Sequence, residues 1–332
     1  MTIPGRVGVV LRDPLPWTES VEVVETAEET GYAAVFVPEI SGREAFSTLT
    51  GFARSTSRIR LGTGVVTVGS RSPVATAMAA ATVHDISTGR MVLGIGAGDI
   101  AGRRRVAGSE GLGPIDLVGR YVRLVKRILA GEEVEGDAVF GTSAFHLDLT
   151  LESDPPPVWL GALGDRMIGL SGTIADGAIL NWCTPGRVSE ARALVDRALG
   201  ATGRDRSSFT LSVYVRANLG LADHVALEAL RPMTGLYASI PHYRRQMERM
   251  GLGEQAGVAA KAMESGSPGG VPEDLVRALT VVGGRQDAAA RFEEFIEAGA
   301  DLVLCYPVTA LERFSSVLRT VLAAAPNPAV ER

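Results

Sequence analysis

Short apolar runs alternate with helical stretches along almost the whole of this 332-residue chain, and that alternation limits its fold most. Eight runs begin at Arg6, Ala33, Ile59, Met91, Val158, Ala178, Thr210 and Leu302. Near-continuous apolar runs of this length suit strands buried on both faces, which is how a parallel sheet reads. The segments between them carry helical spacing. Val74, Ala77, Met78 and Ala81 form one stripe behind a first-turn Pro73. Over Pro114–Ala130, the residues Val118, Tyr121, Val122, Val125, Ile128 and Leu129 turn inward together. Strands that alternate with helices in this number predict an α/β (β/α)8 TIM barrel, read here as a single domain over 1–332. Two segments break the rhythm and read as insertions. One, Gly131–Pro157 after the fourth strand, is expected as a short hairpin or irregular excursion; the other, about Ala222–Leu279 after the seventh strand, as helical. Thr280–Val282 reads as an extended lead-in to a helix near Asp287–Ala298.

Composition narrows the function classes. The net charge of −5 gives no support for a nucleic-acid partner. No apolar run approaches the ~20 residues of a membrane span, and Met1–Arg6 lacks the apolar core of a signal peptide. Cys183 and Cys305 make neither a disulfide framework nor a metal cluster. A cytoplasmic, metal-free enzyme acting on a small molecule is the expectation.

In a barrel the chemistry gathers on loops leaving the strand C-termini, here near Arg12, Glu39, Val65, Ala97, Gly161, Asn181, Arg216 and Tyr306. The loop Leu93-Gly-Ile-Gly-Ala-Gly-Asp99 has a glycine at every second position, which lets a ligand lie against the backbone. Its sixth motif position is Asp99 and the next clear helix begins only near Pro114, which counts against a Rossmann loop. Asp99 reads as a ring contact or proton handler, or simply as a loop cap. Gly161, Ala162, Leu163 and Gly164 precede a helix whose amides suit a phosphate, or form an ordinary strand–helix turn. Glu39, at a strand end, reads as a general acid or base, or as an ion-paired surface acid. Asn181 offers an amide to a cofactor, and Trp182 a packing wall or plain core. Arg103-Arg-Arg105 reads as a solvated run or a partner for an anionic tail. Arg216 points to an anionic substrate, His84 is structural, and Tyr243 with Arg244 and Arg245 reads as part of an excursion capping the barrel mouth or, more simply, as surface helix.

The blocks Leu61-Gly-Thr-Gly-Val65, Arg71-Ser-Pro73, Ser87-Thr-Gly-Arg90 and Leu93–Asp99 resemble the bacterial luciferase-like family. Pro157–Gly164 and Ala175-Asp-Gly-Ala-Ile-Leu-Asn181 agree in order, and Val282–Gly284 through Ala298–Asp301 agrees more weakly. The Gly-Ala-Gly-Asp99 and Asp-Gly-Ala-Ile-Leu-Asn181 runs most resemble the branch that uses the deazaflavin coenzyme F420, especially methylenetetrahydromethanopterin reductases. That resemblance implies an F420-dependent oxidoreductase moving a hydride between deazaflavin C5 and a C=N, C=C or carbonyl/alcohol substrate. It implies a non-proline cis bond at Gly64–Val65 behind the ring. It also implies cofactor contacts from Ala97, Gly98, Asp99, Gly161–Gly164, Asn181 and Trp182, and a homodimer packed through Ala75–Ala81. FMN with a two-component monooxygenase activity is the alternative, and a non-catalytic flavin-binding relative a third. One departure is informative. The pterin reductases carry a first-strand glutamate, where Val7-Gly-Val-Val-Leu11 has no carboxylate before Asp13. The branch's sugar-phosphate and alcohol dehydrogenases carry an Asp-His pair after the second strand, where this chain has Glu39-Ile40. A different substrate class is expected, with Glu39 and Asp99 as the catalytic acids.

Overall fold

The computed structural model describes residues 5–12, 15–98, 106, 108–309 and 312–327. Its strands are β1 (Val7–Val10), β2 (Ala34–Val37), β3 (Arg60–Thr63), β4 (Val66–Thr67), β5 (Met91–Gly96), β6 (Val158–Gly161), β7 (Gly177–Asn181), β8 (Thr210–Leu219), β9 (Thr280–Gly283) and β10 (Leu302–Pro307). Neighbours in the sheet follow chain order from β1 through β2, β3, β5, β6 and β7 to β8, and β10 pairs with both β1 and β8. That order, with parallel registers, is the (β/α)8 barrel. The eight runs read from the sequence are its strands.

Helices follow the strands: α1 (Trp17–Glu29), α2 (Ala45–Ser55), α3 (Pro73–Ile86), α4 (Pro114–Leu129), α5 (Asp165–Ile174), α6 (Pro185–Thr202), α7 (Asp223–Ser239), α8 (Pro241–Arg249), α9 (Gly253–Glu264), α10 (Glu273–Leu279), α11 (Arg285–Glu297) and α12 (Arg313–Ala324). The lead-in expected at Thr280–Val282 is instead strand β9, with Thr280–Gly283 in register with Arg216–Leu219. The cause lies in β8, which is ten residues long and offers its last four to a further parallel partner. The insertion after β5 contains the expected hairpin, with antiparallel bridges at Val134–Phe145 and Asp137–Thr142.

The chain forms two compact units. In the unit of Ala34–Ile179 and Leu194–Thr210, capping explains where the helices begin. Ser72 Oγ accepts from Ala75 N at 3.1 Å with Pro73 as first residue of α3. Glu44 caps α2 with both carboxylate oxygens, accepting from Phe46 N at 3.0 Å and Ser47 N at 2.6 Å. The apolar stripe of α4 is buried as its spacing predicts. In the unit of Met1–Ala33, Leu180–Ala193 and Leu211–Arg332, the helices inserted after β8 close on a core of Leu227, Leu230, Met247, Ala259 and Leu275, which also holds Trp182.

Candidate functional site

Two constellations stand at strand C-termini, one in each unit. The first grows from a register break. Leu61 and Gly62 pair with Met91 and Val92, and pairing resumes at Val66 with Ile95. Between these points Thr63, Gly64 and Val65 face only Leu93 and Gly94, so the β3–β4 line bulges by one residue. The buried Thr63 hydroxyl fills the interrupted ladder, donating to Gly94 O and accepting from Gly94 N, each at 2.8 Å. Gly64 N turns the other way to Val37 O at 2.9 Å. The Gly64–Val65 bond inside this bulge is cis.

The bulge explains the alternating glycines. A Cβ on Gly94 would lie 2.0 Å from Thr63 O, one on Gly96 2.5 Å from Val65 Cγ2, and one on Gly98 3.0 Å from Thr67 Cβ. A Cβ on Gly161 would meet Val65 Cγ1 at 3.3 Å. The glycines therefore receive Thr63, Val65 and Thr67 in alternation, and Val65 lies over Gly96 and Gly161 as an apolar platform. The sequence reading gave the glycine spacing to a ligand; the structure gives its packing to the bulge. Gly164 differs, because nothing lies within 4 Å of its Cβ position, and it caps α5. Ala162 N–H is already engaged with Ile179 O at 3.1 Å, so the open approach is at the start of α5 rather than along all of Gly161–Gly164.

Glu39 leaves the end of β2 and meets Arg71, whose Nη2 donates to Glu39 Oε1 at 2.6 Å and to Glu44 Oε1 at 2.5 Å. Arg71 also lies 5.1 Å from the Phe46 ring centroid. Glu39 Oε2 is buried without a hydrogen-bond partner among the described residues. Behind it, the buried Tyr121 hydroxyl is 2.6 Å from Thr76 Oγ1 and donates to Arg71 O at 3.2 Å. Burial pushes that hydroxyl up, so it stays protonated. The arginine that organises this cluster stood in a quoted sequence block but received no role there. Only its convergence with two acids of the β2–α2 loop reveals one.

The second constellation centres on Arg216, which is 1% exposed on β8. Its guanidinium carbon lies 4.2 Å from the Trp182 ring centroid, 4.7 Å from that of Tyr306 and 5.3 Å from that of Tyr237. Nη1 donates to Asn181 Oδ1, and Asn181 Nδ2 donates to Tyr243 Oη at 2.8 Å. Both ends of the Asn181 amide are thus engaged within the protein. Trp182 holds a left-handed backbone at φ 53°, uncommon for a bulky residue. Gln246 Nε2 secures it by donating to Asn181 O and Trp182 O, each at 2.7 Å. Tyr243 therefore belongs to this cluster and not to a surface helix. Its ring is 4.7 Å from that of Tyr237, because α8 turns this residue toward β7.

Asp99 and Arg103–Arg105 lie outside the described residues. Ala97 and Gly98 follow β5 beside Thr67, and His84 is a buried helical residue 2.8 Å from Ser153 Oγ. Among the described residues no group of His, Cys, Asp or Glu is placed to hold a metal, and no helix is long and apolar enough to cross a membrane.

A family model described as luciferase-like monooxygenase matches residues 1–302. A 5,10-methylenetetrahydromethanopterin reductase of Archaeoglobus fulgidus is 28% identical over 311 residues, covering 90% of this chain and 92% of that protein. A Mycobacterium tuberculosis protein whose name assigns it to the coenzyme F420-dependent oxidoreductases is 27% identical over 291 residues, covering 79% and 83%. Among solved structures, the coenzyme F420-dependent tetrahydromethanopterin reductase of Methanopyrus kandleri superposes with a TM-score of 0.83 at 22% identity, over 98% of this chain and 99% of that one.

Proposed function

Because this chain belongs to the luciferase-like monooxygenase family of enzymes, we propose that it is a coenzyme F420-dependent oxidoreductase acting on a small organic substrate. The reaction is hydride transfer between deazaflavin C5 and a C=N, C=C or carbonyl/alcohol group. The relatives' names support the cofactor. The observation that carries the reading is the Thr63–Val65 bulge, which sets Val65 over Gly96 and Gly161 at the strand ends.

These residues fit the group. An apolar Val65 surface suits the back of a planar ring, with Gly64, Ala97 and Gly98 beside it in the chain and Asp99 proposed as a further contact. The open start of α5 at Gly164 suits a phosphate, since helix N-termini offer unpaired amides and a positive dipole end. Gly161, Ala162 and Leu163 lead the chain there, and Asn181 and Trp182 are proposed as further cofactor contacts. When bound, F420 supplies a two-electron hydride donor or acceptor. The protein orients it, excludes water and exchanges one proton. Glu39 is suited to that exchange: Arg71 fixes one oxygen and the other has no hydrogen-bond partner among the described residues. Asp99 is the second acid, and Asp99→Ala is expected to lower turnover at least as much as F420 affinity.

The family's own description favours a second reading, an FMN-dependent monooxygenase. An anaerobic assay separates the two. Reduced F420 offered with a panel of imines, enones and ketones is expected to be reoxidised without oxygen. Turnover that requires oxygen and reduced FMN would contradict the proposal. We also propose a cytoplasmic homodimer that pairs through the outer face of α3, where Met78 is exposed; a monomeric mass in solution would refute the pairing.

A further inference from the structure

Arg216 carries a charge that no described residue balances. It is buried, yet among the described residues no carboxylate pairs with it; its polar partner is the neutral amide oxygen of Asn181. Among the described residues its Nε has no hydrogen-bond partner, and neither does the indole N–H of Trp182, the ring stacked on it. The neighbouring tyrosines do not supply an anion. Burial pushes the Tyr214 and Tyr306 hydroxyls up, and the Arg216 charge pulls them only partly back. Aromatic faces attract a cation, but they leave its hydrogen-bonding edge unsatisfied. A buried guanidinium without an acid is otherwise destabilising, and removing such a charge from water is costly unless it is paired. The cage is not sealed, because Asn181 and Tyr237 are only half-buried.

We propose that Arg216, held by Asn181 and walled by Trp182, Tyr214, Tyr237 and Tyr306, forms a subsite for the carboxylate of a small planar organic acid. The inference rests on the oxidoreductase reading and narrows its substrate to one with an anionic end. An arginine fork recognises a carboxylate through paired N–H donors. The flat rings around it favour a conjugated or aromatic body over a branched aliphatic one.

Benzoate is the probe and benzamide its neutral counterpart, titrated into the full-length protein by calorimetry. Benzoate is expected to saturate wild type at least about tenfold more tightly than benzamide, and R216Q is expected to lose that preference. Equal affinities for the two probes in wild type, or no saturable benzoate binding below about 10 mM, would overturn the proposal. The wild-type pair decides even if R216Q does not fold, which circular dichroism would report. A second arm repeats the benzoate titration with F420 at saturation. Retained binding supports a substrate subsite, whereas exclusion by F420 would assign Arg216 to an acidic end of the cofactor and overturn it. A wild type that ignores F420 but prefers benzoate would sink the cofactor reading alone.

Discussion

At Thr63–Val65 the molecule is shaped by atoms that are missing, whereas around Arg216 it is shaped by large side chains that converge. In the first unit, glycines at 94, 96 and 161 leave room for one carbonyl and one valine side chain. In the second, an arginine, a tryptophan and three tyrosines from β8, α7, β10 and the residue after β7 meet around a single charge. The first arrangement is rigid and apolar, suited to backing a flat ring. The second is polar and only partly satisfied, suited to reading what a substrate carries. On the reading proposed above, the difference separates a part that would hold the cofactor from a part that would select the substrate.

The largest expected effect tests the rigid side. Gly94→Ala sets a methyl 2.0 Å from a backbone oxygen that has nowhere to move. It should cost about 3 kcal/mol or more and lower the midpoint of thermal unfolding sharply. Gly164→Ala, with open space, should unfold near wild type. Equal stability of the two variants would break the claim that packing selects the glycines.

Glu39→Gln tests whether chemistry sits beside the bulge. Turnover should fall about a hundredfold while F420 affinity holds, the signature of a lost proton exchange. Unchanged turnover would leave Glu39 as a partner of Arg71 and no more.

A smaller effect comes from Glu44. Burial opposes its ionisation, but the Ser47 and Phe46 hydrogen bonds and the Arg71 charge outweigh this and hold its carboxyl below the ordinary 4.5. A depressed folded value means that the contribution is full above 4.5 and is lost as pH falls through the lower folded value. Glu44→Gln should therefore flatten the acid-side loss of stability just below pH 4.5. It should also weaken the cap of α2 by about 1 kcal/mol. An unchanged acid limb would contradict the assignment.

The smallest effect is an absence of reaction. Burial pushes the Cys183 and Cys305 thiols up to about 12, and both should resist a disulfide reagent in the native protein and react on unfolding. Rapid reaction of Cys183 alone would mean that the Arg216 side of the comparison is looser than its packing suggests.

The two regions were also unequally legible. Strand order is a local matter of apolar runs and helical stripes, and the eight strands stand where the runs do. The register break at Gly64–Val65 could be placed through the resemblance. The reason for the glycines could not, because it lies in the facing residues Thr63, Val65 and Thr67. β9 was misread because three residues before a glycine pair look the same as a lead-in until a neighbouring strand is present. The cage was the least legible. Asn181, Trp182 and Arg216 each drew notice singly, but Tyr214, Tyr237 and Tyr306 are ordinary apolar-run or helical residues in sequence. Nothing along the chain marks their convergence. Arg71 was missed for the same reason.

The account stands on the cofactor, and one titration tests it most directly. Full-length protein is titrated with oxidised F420 and, separately, with FMN, following the quenching of each cofactor's fluorescence. The account predicts saturation by F420 at an affinity at least about tenfold above that for FMN, a difference of ~1.4 kcal/mol. Saturable binding of FMN with no response to F420 would contradict it.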